Sequence, residues 1–334
     1  MQSRKLGRDG PEISAIGIGA MSFADFYGPT NEAESHAILD AALDFGITHL
    51  DTANVYGMGK SESAIGSYLA GRGRGTRERF TIATKASITS DRETGRRVFD
   101  NSKHHLTQEL DASLKRLGTD AVDLFYVHRR DPSLEIEEVT ETLAGLVRAG
   151  KTRAIGFSEI APSSLRRAMA VHPVAAVQSE YSLATRFPDL GLVQTCADLG
   201  VALVAFSPVG RGLLTDRPHG AEAIAGMPFL RGNPRFVEPN LSTNLATTQA
   251  FRALAADMGC SAAALAIAWV LTRGDHVVPI PGTRSVAHLA ELAAGAELRL
   301  SDSDLARIDT VLPVGWAHGD RYSAEQWVGP ERYC

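Results

Sequence analysis

Short apolar runs alternate along the chain with longer segments in which apolar residues recur at helical spacing. Eight of the short runs are apolar on both faces, which is typical of strands in a buried parallel sheet. We predict these strands at 16–20, 46–50, 80–85, 122–128, 153–158, 175–180, 201–208 and 276–282. The intervening segments predict helices, and the clearest carries Leu106, Leu110, Leu114 and Leu117 on one face.

Eight alternating strand–helix units favour a closed parallel barrel of the (β/α)8, or TIM, type. An Asp-Gly turn at 9–10 predicts an N-terminal β-hairpin over 4–15. Extra helices are predicted near the C-terminus at 245–258, 261–273, 285–294 and 302–312, and the segment 209–241 is predicted to be a long loop at the C-terminal face. A doubly wound sheet is the alternative, but GIGAMS at 17–22 lacks the G-x-G-x-x-G spacing of its nucleotide site. We therefore predict one barrel domain over 1–334.

Composition and charge narrow the range of partners. The chain is 44% hydrophobic with a formal net charge of −5, so a nucleic acid partner is not expected. We interpret the locally basic run at 72–77 as a solvated loop. Three widely spaced cysteines, Cys196, Cys260 and Cys334, predict no disulfide framework or metal site and favour a reducing compartment. Because no apolar run reaches membrane-spanning length, we expect a cytoplasmic protein with no membrane partner.

Polar and aromatic side chains stand at the carboxyl ends of the predicted strands, where the active site of such a barrel lies. In chain order they are Asp51, Tyr56, Lys85, His128, Ser158, Glu159, Gln178, Glu180, Phe206, Ser207, Thr283 and Arg284. Each has an ordinary structural explanation when it is taken alone. Since the strand ends converge on one mouth, a shared site accounts for all of them together.

Asp51, Tyr56, Lys85 and His128 form a set that suits proton transfer to a carbonyl oxygen. The pKa of a free tyrosine is about 10, and a nearby ammonium group would favour the phenolate and lower that pKa. Asp51 could hold Lys85 in an ion pair, and His128 could donate a hydrogen bond to the oxygen as negative charge develops there. Proton transfer alone does not reduce a carbonyl, so a cofactor must supply a hydride.

Seven motifs resemble those of the aldo-keto reductase family. They are FGITHLDTANVYG (45–57), TIATK (81–85), DLFYVHRRDP (123–132), RAIGFSE (153–159), VQSEYSL (177–183), AFSPVGRGLL (205–214) and IPGTRS (280–285). The resemblance extends over essentially the whole chain, and GFSE with GDRY at 319–322 is similar to a bacterial and plant branch. It implies a barrel that binds NADPH in an extended form and reduces aldehydes or ketones to alcohols, or runs the reverse reaction with NADP.

The resemblance also implies roles for individual residues. The catalytic tetrad would be Asp51, Tyr56, Lys85 and His128, with Tyr56 as the general acid. The cofactor site would be formed by Ala20, Met21, Asp51, Ser158, Glu159, Gln178, Phe206, Ser207, Pro208, Val209, Gly210, Arg211, Gly212, Gly282, Thr283, Arg284, His288 and Glu291. The substrate pocket would be lined by Phe23, Tyr27, Val55, Tyr56, His128, Arg129 and Trp316. No metal ligand is implied.

Within this implied cofactor site, Gln178 and Ser158 match the positions that bind the nicotinamide carboxamide, and Phe206 matches the aromatic residue that stacks on the nicotinamide ring. The segment 207–212 matches the pyrophosphate strap. Thr283 and Arg284 match the group that holds the 2′-phosphate, for which an arginine supplies a bidentate donor. NADPH is therefore expected, with NADH possible but weaker.

The sequence departs from the family pattern at three cofactor positions. Position 159 is Glu where many members have Asn, position 288 is His where Arg is common, and position 292 is Leu where Asn is common. The substrate stays open between aromatic aldehydes, pyridoxal-like compounds and cyclic ketones. The oligomeric state is also left open.

Two rival hypotheses belong to other functional classes. One is a metal-dependent barrel enzyme that uses Asp51, His128, Glu159 and Glu180, although Lys85 would then lie among the ligands. The other is a regulatory or redox-sensing subunit that binds the cofactor and turns over weakly. The position of Lys85 and the lack of an H-x-H pair argue against the first hypothesis, and the complete tetrad argues against the second.

Overall fold

The structure is a computed structural model that describes residues 1–73, 75–91 and 93–333. Arg74, within the basic run interpreted as a loop, and Cys334, the last of the three cysteines, lie outside the described residues. The chain begins with strands β1 (Ser3–Lys5) and β2 (Glu12–Ser14), which pair in antiparallel fashion. This is the N-terminal hairpin that the Asp-Gly turn predicts.

Eight parallel strands form the central sheet, and their order in space is their order in the sequence. They are β3 (Gly17–Gly19), β4 (His49–Asp51), β5 (Thr81–Ala86), β8 (Val122–Val127), β9 (Thr152–Ser158), β10 (Ala176–Glu180), β11 (Ala202–Phe206) and β12 (Val277–Pro279). The two edges meet where the Gly19 N–H donates to the Pro281 carbonyl at 2.9 Å. A Cβ atom on Gly19 would lie only 2.6 Å from the Ile280 oxygen, so this junction requires glycine. The (β/α)8 barrel prediction is confirmed.

The interior of the barrel is filled with side chains rather than open. Its buried residues include Ala83, Leu124, Tyr126, Ala176, Ala202, Val204 and Val278. Leu6 and Ile13 from the N-terminal hairpin belong to the same cluster. The hairpin therefore plugs the amino end of the barrel, and the carboxyl ends of the strands are left to form a site.

Helices cover the outside of the barrel, and their starts follow local sequence signals. They are α1 (Glu32–Asp44), α2 (Lys60–Gly71), α3 (Lys103–Leu117), α4 (Ile136–Arg148), α5 (Pro162–Val171), α6 (Leu192–Leu199), α7 (Ala221–Ala225), α8 (Asn240–Asp257), α9 (Ala262–Leu271), α10 (Val286–Gly295) and α11 (Asp302–Val311). The Asn31 side chain caps α1 by accepting from the Glu34 N–H, and Ser301 with Asp304 forms a capping box on α11. These caps fix where α1 and α11 begin.

Two features of the loops differ from the sequence prediction. Strands β6 (Ile88–Ser90) and β7 (Arg97–Phe99) form an additional hairpin after β5, where no strand is predicted. The segment predicted as a loop at 209–241 contains the short helix α7, and α8 begins at Asn240, five residues before the predicted start. Apolar residues do not recur at regular strand or helix spacing in either segment, so the sequence pattern does not predict these elements.

Left-handed backbone conformations concentrate at the carboxyl end of the barrel. The described non-glycine residues with φ between +50° and +130° are Met58, Ser87, Glu159, Ser207 and Arg211. All five lie in the loops that follow β4, β5, β9 and β11. Such conformations are costly for residues other than glycine and tend to occur where a side chain must be held in a particular direction. This end of the barrel is therefore the candidate functional face.

Candidate active site

The barrel brings the four residues of the predicted tetrad together. Asp51 ends β4, Lys85 lies in β5, His128 directly follows β8, and Tyr56 lies in the loop after β4. The Lys85 ammonium donates hydrogen bonds to the Asp51 carboxylate and, at 2.8 Å, to the Thr52 carbonyl. The same Nζ atom lies 5.2 Å from the centre of the Tyr56 ring. The His128 ring meets the Tyr56 ring edge-on, with 5.9 Å between the ring centres.

The ion pair between Lys85 and Asp51 is buried inside the barrel mouth. Burial lowers the pKa of Lys85, and the charge of Asp51 opposes that shift. Asp51 is held from its other side by Gln178, whose amide nitrogen donates to Oδ2 at 2.7 Å. Because a buried ion requires both a counter-charge and hydrogen bonds, Asp51 and Gln178 keep the Lys85 ammonium in place beside Tyr56.

The environment of Tyr56 differs from the one that the sequence predicts. Burial raises the pKa of Tyr56 above its usual range, the charge of Asp51 raises it further, and Arg129 opposes the shift. The sequence predicts that Lys85 lowers the pKa of Tyr56, whereas burial and the charge of Asp51 shift this pKa in the opposite direction. The raised pKa favours the protonated form of the phenol.

His128 is buried among positively charged side chains, which disfavours its charged form. Burial, followed by the positive charges of Arg129, Lys85 and Arg97, holds the pKa of His128 well below its usual value. Its Nδ1 atom is buried and has no hydrogen-bond partner among the described residues. A neutral imidazole beside a neutral phenol can offer hydrogen bonds to one oxygen atom without adding charge.

The positions predicted to bind the nicotinamide lie side by side on neighbouring strands. Gln178 of β10 pairs in register with Ser158 at the end of β9, and half-buried Phe206 ends β11. Gln178 is engaged with Asp51, and Ser158 Oγ accepts from the Arg129 guanidinium at 3.0 Å. The grouping matches the prediction, and its role in cofactor binding stays a prediction.

The described residues at the end of β12 provide a cationic group without a counter-ion. Half-buried Arg284 donates to the Pro29 carbonyl at 2.7 Å, and no described carboxylate lies within 4 Å of it. Thr283 Oγ1 accepts from the Ser285 N–H at 3.1 Å, at the start of α10, while His288 and Glu291 follow on that helix. A guanidinium that has no ion-pair partner among the described residues and lies beside a hydroxyl at this barrel position fits a phosphate.

These observations agree with what is known of similar chains. The profile of the Aldo/keto reductase family matches residues 15–313. The chain belongs to the aldo/keto reductase family. As a member, it is an oxidoreductase that uses a nicotinamide cofactor. It is 36% identical over 323 residues to aldo-keto reductase yakc [NADP(+)] of Schizosaccharomyces pombe, which covers 96% of this chain and 94% of that protein. It is 37% identical over 323 residues to probable aldo-keto reductase 1 of Glycine max, covering 96% of this chain and 92% of that one.

Solved structures of other family members share the fold. The glycerol dehydrogenase AKR11B4 from Gluconobacter oxydans superposes with a TM-score of 0.80 at 26% identity, covering 93% of this chain and 94% of that one. The thermostable aldo-keto reductase Tm1743, solved with the inhibitor epalrestat, superposes with a TM-score of 0.73 at 29% identity. The match covers 93% of this chain and 100% of that one. The barrel of this aldo/keto reductase is thus the barrel of its relatives.

Two of the side chains predicted to contact the cofactor have other partners in this aldo/keto reductase. Both carboxylate oxygens of Glu159 accept from the Arg321 guanidinium, and Oε1 also accepts from the Glu180 N–H. Arg211 donates to Glu180 at 2.5 Å and to the Arg321 carbonyl at 2.8 Å. Glu159 and Arg211 therefore anchor the C-terminal segment around Arg321, and the Glu159 carbonyl adds to this by accepting from the Glu331 N–H at 2.8 Å.

We expect Arg321→Met to destabilise the enzyme strongly, because Glu159 would be left buried without its cation. Breaking a buried ion pair in this way costs about 3–5 kcal/mol in the free energy of unfolding. Denaturant titration of the variant measures that loss. Arg307→Met is the matched control, since Arg307 pairs with Asp257 on the exposed surface and its loss should cost about 1 kcal/mol or less.

A double variant separates the charge from the packing. Glu159→Gln together with Arg321→Met removes both charges and should recover part of the stability that Arg321→Met loses. If Arg321→Met loses no more free energy of unfolding than Arg307→Met, the Glu159–Arg321 pair is not an anchor of the C-terminal segment.

Besides Tyr56, His128 and Arg129, the predicted substrate-pocket residues divide into two groups. Phe23 and Trp316 are packed in the hydrophobic core, and the Trp316 indole donates to the Leu183 carbonyl at 2.8 Å. Both side chains are almost fully buried, and their role in a substrate pocket stays a prediction. Tyr27 and Val55 are half-buried near the mouth.

The remaining predicted cofactor positions lie in the loops after β3, β11 and β12. They are Ala20, Met21, Ser207, Pro208, Val209, Gly210, Gly212 and Gly282.

Three aromatic residues at the mouth are absent from the predicted set. Phe26 meets the Tyr56 ring edge-on at 6.1 Å, and Phe229 from the 209–241 segment contacts both Phe26, at 6.2 Å, and Tyr27. Tyr322 accepts from Arg129 at 3.2 Å. The only sequence signal for them is their position, since they are aromatic residues within polar loops that border the barrel mouth.

Two further findings concern metal-binding clusters and membrane-spanning helices. Within 1–73, 75–91 and 93–333, no group of three or more His, Cys, Asp or Glu residues is placed to hold a metal ion. No single helix in those ranges is long and apolar enough to cross a membrane, and only the bent pair α8 and α9, at 87°, passes by length and composition. The cytoplasmic location stays a prediction.

Proposed function

We propose that the chain is an NADP(H)-dependent carbonyl reductase that converts aldehydes or ketones into alcohols and catalyses the reverse oxidation with NADP. The observation that carries this proposal is the buried Lys85–Asp51 pair directly beside Tyr56, with the neutral His128 ring against the same phenol. In this arrangement one proton donor and one neutral hydrogen-bond donor converge on a single position. That position suits the oxygen of a carbonyl group.

Tyr56 is the residue that donates the proton. It holds its proton because burial raises its pKa, and it can release that proton only when negative charge forms on a neighbouring oxygen. The Lys85 ammonium lies against the Tyr56 ring and favours the phenolate that results. His128 orients the same oxygen through a hydrogen bond that strengthens as charge develops there.

The residues present fit a nicotinamide cofactor. Phe206 presents an aromatic ring at the end of β11, next to Gln178 and Ser158, while Thr283 and Arg284 at the end of β12 suit a phosphate. Bound NADPH would supply the hydride that this chemistry requires. Arg284 would bind the 2′-phosphate, the group that distinguishes NADPH from NADH, so NADPH is the proposed cofactor. A relative's name, aldo-keto reductase yakc [NADP(+)], supports that choice.

The proposal is tested by following NADPH oxidation with a panel of aromatic aldehydes, pyridoxal-like compounds and cyclic ketones, and NADP reduction with the matching alcohols. We expect turnover in both directions for at least one pair. Tight cofactor retention with slow turnover of every compound would instead support a regulatory subunit. Activity that is lost on addition of a chelator would contradict a mechanism based on Tyr56.

We expect Arg284→Ala to raise KM for NADPH about tenfold or more. The guanidinium can give the 2′-phosphate two charge-assisted hydrogen bonds, worth roughly 1.5–3 kcal/mol each. NADH lacks this phosphate, so its KM should hardly change and serves as the internal control. The kcat should also hardly change, because Phe206 and Gln178 lie at other strand ends. Equal losses for both cofactors would show that Arg284 is structural.

A further inference from the structure

Arg129 differs from the other buried arginines at the barrel mouth. Arg211 and Arg321 are each paired with a glutamate, and Arg130 is 3.3 Å from Glu331. Among the described residues, no carboxylate oxygen lies within 4 Å of the Arg129 guanidinium, although its side chain is almost fully enclosed. A buried cation without a counter-charge is costly, so its presence calls for a functional explanation.

The hydrogen bonds of Arg129 do not compensate its charge. Nη1 donates to the His128 carbonyl at 2.6 Å and to Ser158 Oγ at 3.0 Å, and Nη2 donates to the Tyr322 hydroxyl at 3.2 Å. All three acceptors are neutral. Nε is buried and has no partner. One edge of the guanidinium therefore keeps donor capacity for a further acceptor.

Glu159, an acidic residue whose pKa the charge of Arg129 affects, already has a cation as its partner. Arg129 helps to keep the pKa of Glu159 below its usual value, but both oxygens of Glu159 are held by Arg321. On the other side, exposed Arg97 of β7 lies close enough for the charge of Arg129 to contribute to lowering its pKa. The surroundings of Arg129 thus add a second positive charge rather than a free negative one.

Arg129 is also held rigidly next to the reacting position. Its backbone N–H donates to Ser87 Oγ at 2.9 Å, and its carbonyl accepts from Ser87 at 2.8 Å and from Asn101 at 3.0 Å. It follows His128 directly in the chain. A fixed guanidinium on the residue next to His128 can select between substrates, because a preorganised donor loses little entropy when an anion binds.

We propose that Arg129 binds a carboxylate carried by the substrate, so that the preferred substrates of this enzyme are aldehydes or ketones with a carboxylate group near the reacting carbonyl. The planar carboxylate matches the geometry of a guanidinium edge. The neutral aromatic residues Phe26, Tyr27 and Phe229 would contact the rest of the molecule. This inference rests on the proposed carbonyl reductase function and adds a substrate class to it.

Matched pairs of substrates test the inference in the wild-type enzyme. The probes are 2-, 3- and 4-carboxybenzaldehyde and the methyl ester of each, assayed with NADPH. We expect kcat/KM for at least one acid to exceed that for its ester about tenfold or more, because a charge-assisted bond is lost in the ester. Reduction of the esters without preference for any acid would overturn the inference and leave the reductase function intact. No reduction of any probe or other carbonyl would instead contradict the function itself.

Variants assign the preference to Arg129. Arg129→Met should lower the acid-to-ester ratio of kcat/KM about tenfold, and Arg129→Lys should retain part of the ratio because the charge is kept without the planar fork. Arg148→Met is the control, since it removes an exposed charge paired with Glu141 on α4 and should leave the ratio as it is. If Arg129→Met has the same acid-to-ester ratio of kcat/KM as the wild type, Arg129 is structural. If Arg129→Met does not fold, the same conclusion follows when a folded Arg129→Lys has the wild-type ratio.

Discussion

Tyr56→Phe should lower kcat for carbonyl reduction by about 10²–10⁴-fold, which is the usual contribution of a positioned proton donor. The substitution removes only the hydroxyl and keeps the ring that contacts Phe26 and His128. Cofactor binding should persist, since Phe206, Thr283 and Arg284 of the predicted cofactor site lie at or after the ends of other strands, β11 and β12. NADPH oxidation measures the loss, and quenching of protein fluorescence by NADPH measures binding.

The matched control makes the same chemical change far from the mouth. Tyr68 lies on α2, where its hydroxyl donates to Asp40 at 2.8 Å. Tyr68→Phe should cost about 1 kcal/mol of stability and leave kcat close to the wild-type value. If Tyr56→Phe keeps most of the wild-type kcat, Tyr56 is not the proton donor.

Lys85→Met should be nearly inactive, whereas Asp51→Asn should be impaired but active. Lys85 lies directly against the Tyr56 ring, so its loss removes the charge that favours the phenolate in the transition state. Asp51 acts through Lys85, which would still donate to the Thr52 carbonyl in Asp51→Asn. The kcat of the two variants with the same aldehyde gives the ranking.

Stability must be measured alongside these rates. Lys85→Met leaves Asp51 buried without its cation, which costs about 3–5 kcal/mol in the free energy of unfolding. Thermal melts of both variants show whether each is folded under the assay conditions. A folded Lys85→Met enzyme that is faster than Asp51→Asn would overturn the proposed order of influence from Asp51 through Lys85 to Tyr56.

The C-terminal segment around Arg321 contacts the residues that follow β8 and β9 at the barrel mouth. Arg321 pairs with Glu159 after β9, and Glu331 approaches Arg130 after β8. Tyr322 of the same segment accepts from Arg129. The placement of Arg129, and with it the proposed carboxylate site, therefore depends on a segment far along the chain.

The sequence by itself determined the barrel and the positions of its polar strand ends. Both are local properties: a strand that is buried on two faces must be apolar throughout, so Lys85 or Gln178 within such a run marks a site. The tetrad follows from these positions, because the parallel order of the strands brings their carboxyl ends to one mouth.

Only the tertiary structure decided which charges pair and which polar groups are dehydrated. Glu159 and Arg321 are 162 residues apart, and no local pattern relates them. The raised pKa of Tyr56 and the burial of Phe23 and Trp316 likewise depend on what packs around each side chain. Ion pairing and desolvation are set by distances through space, so they become fixed only when the loops and the C-terminal segment close over the ends of the strands.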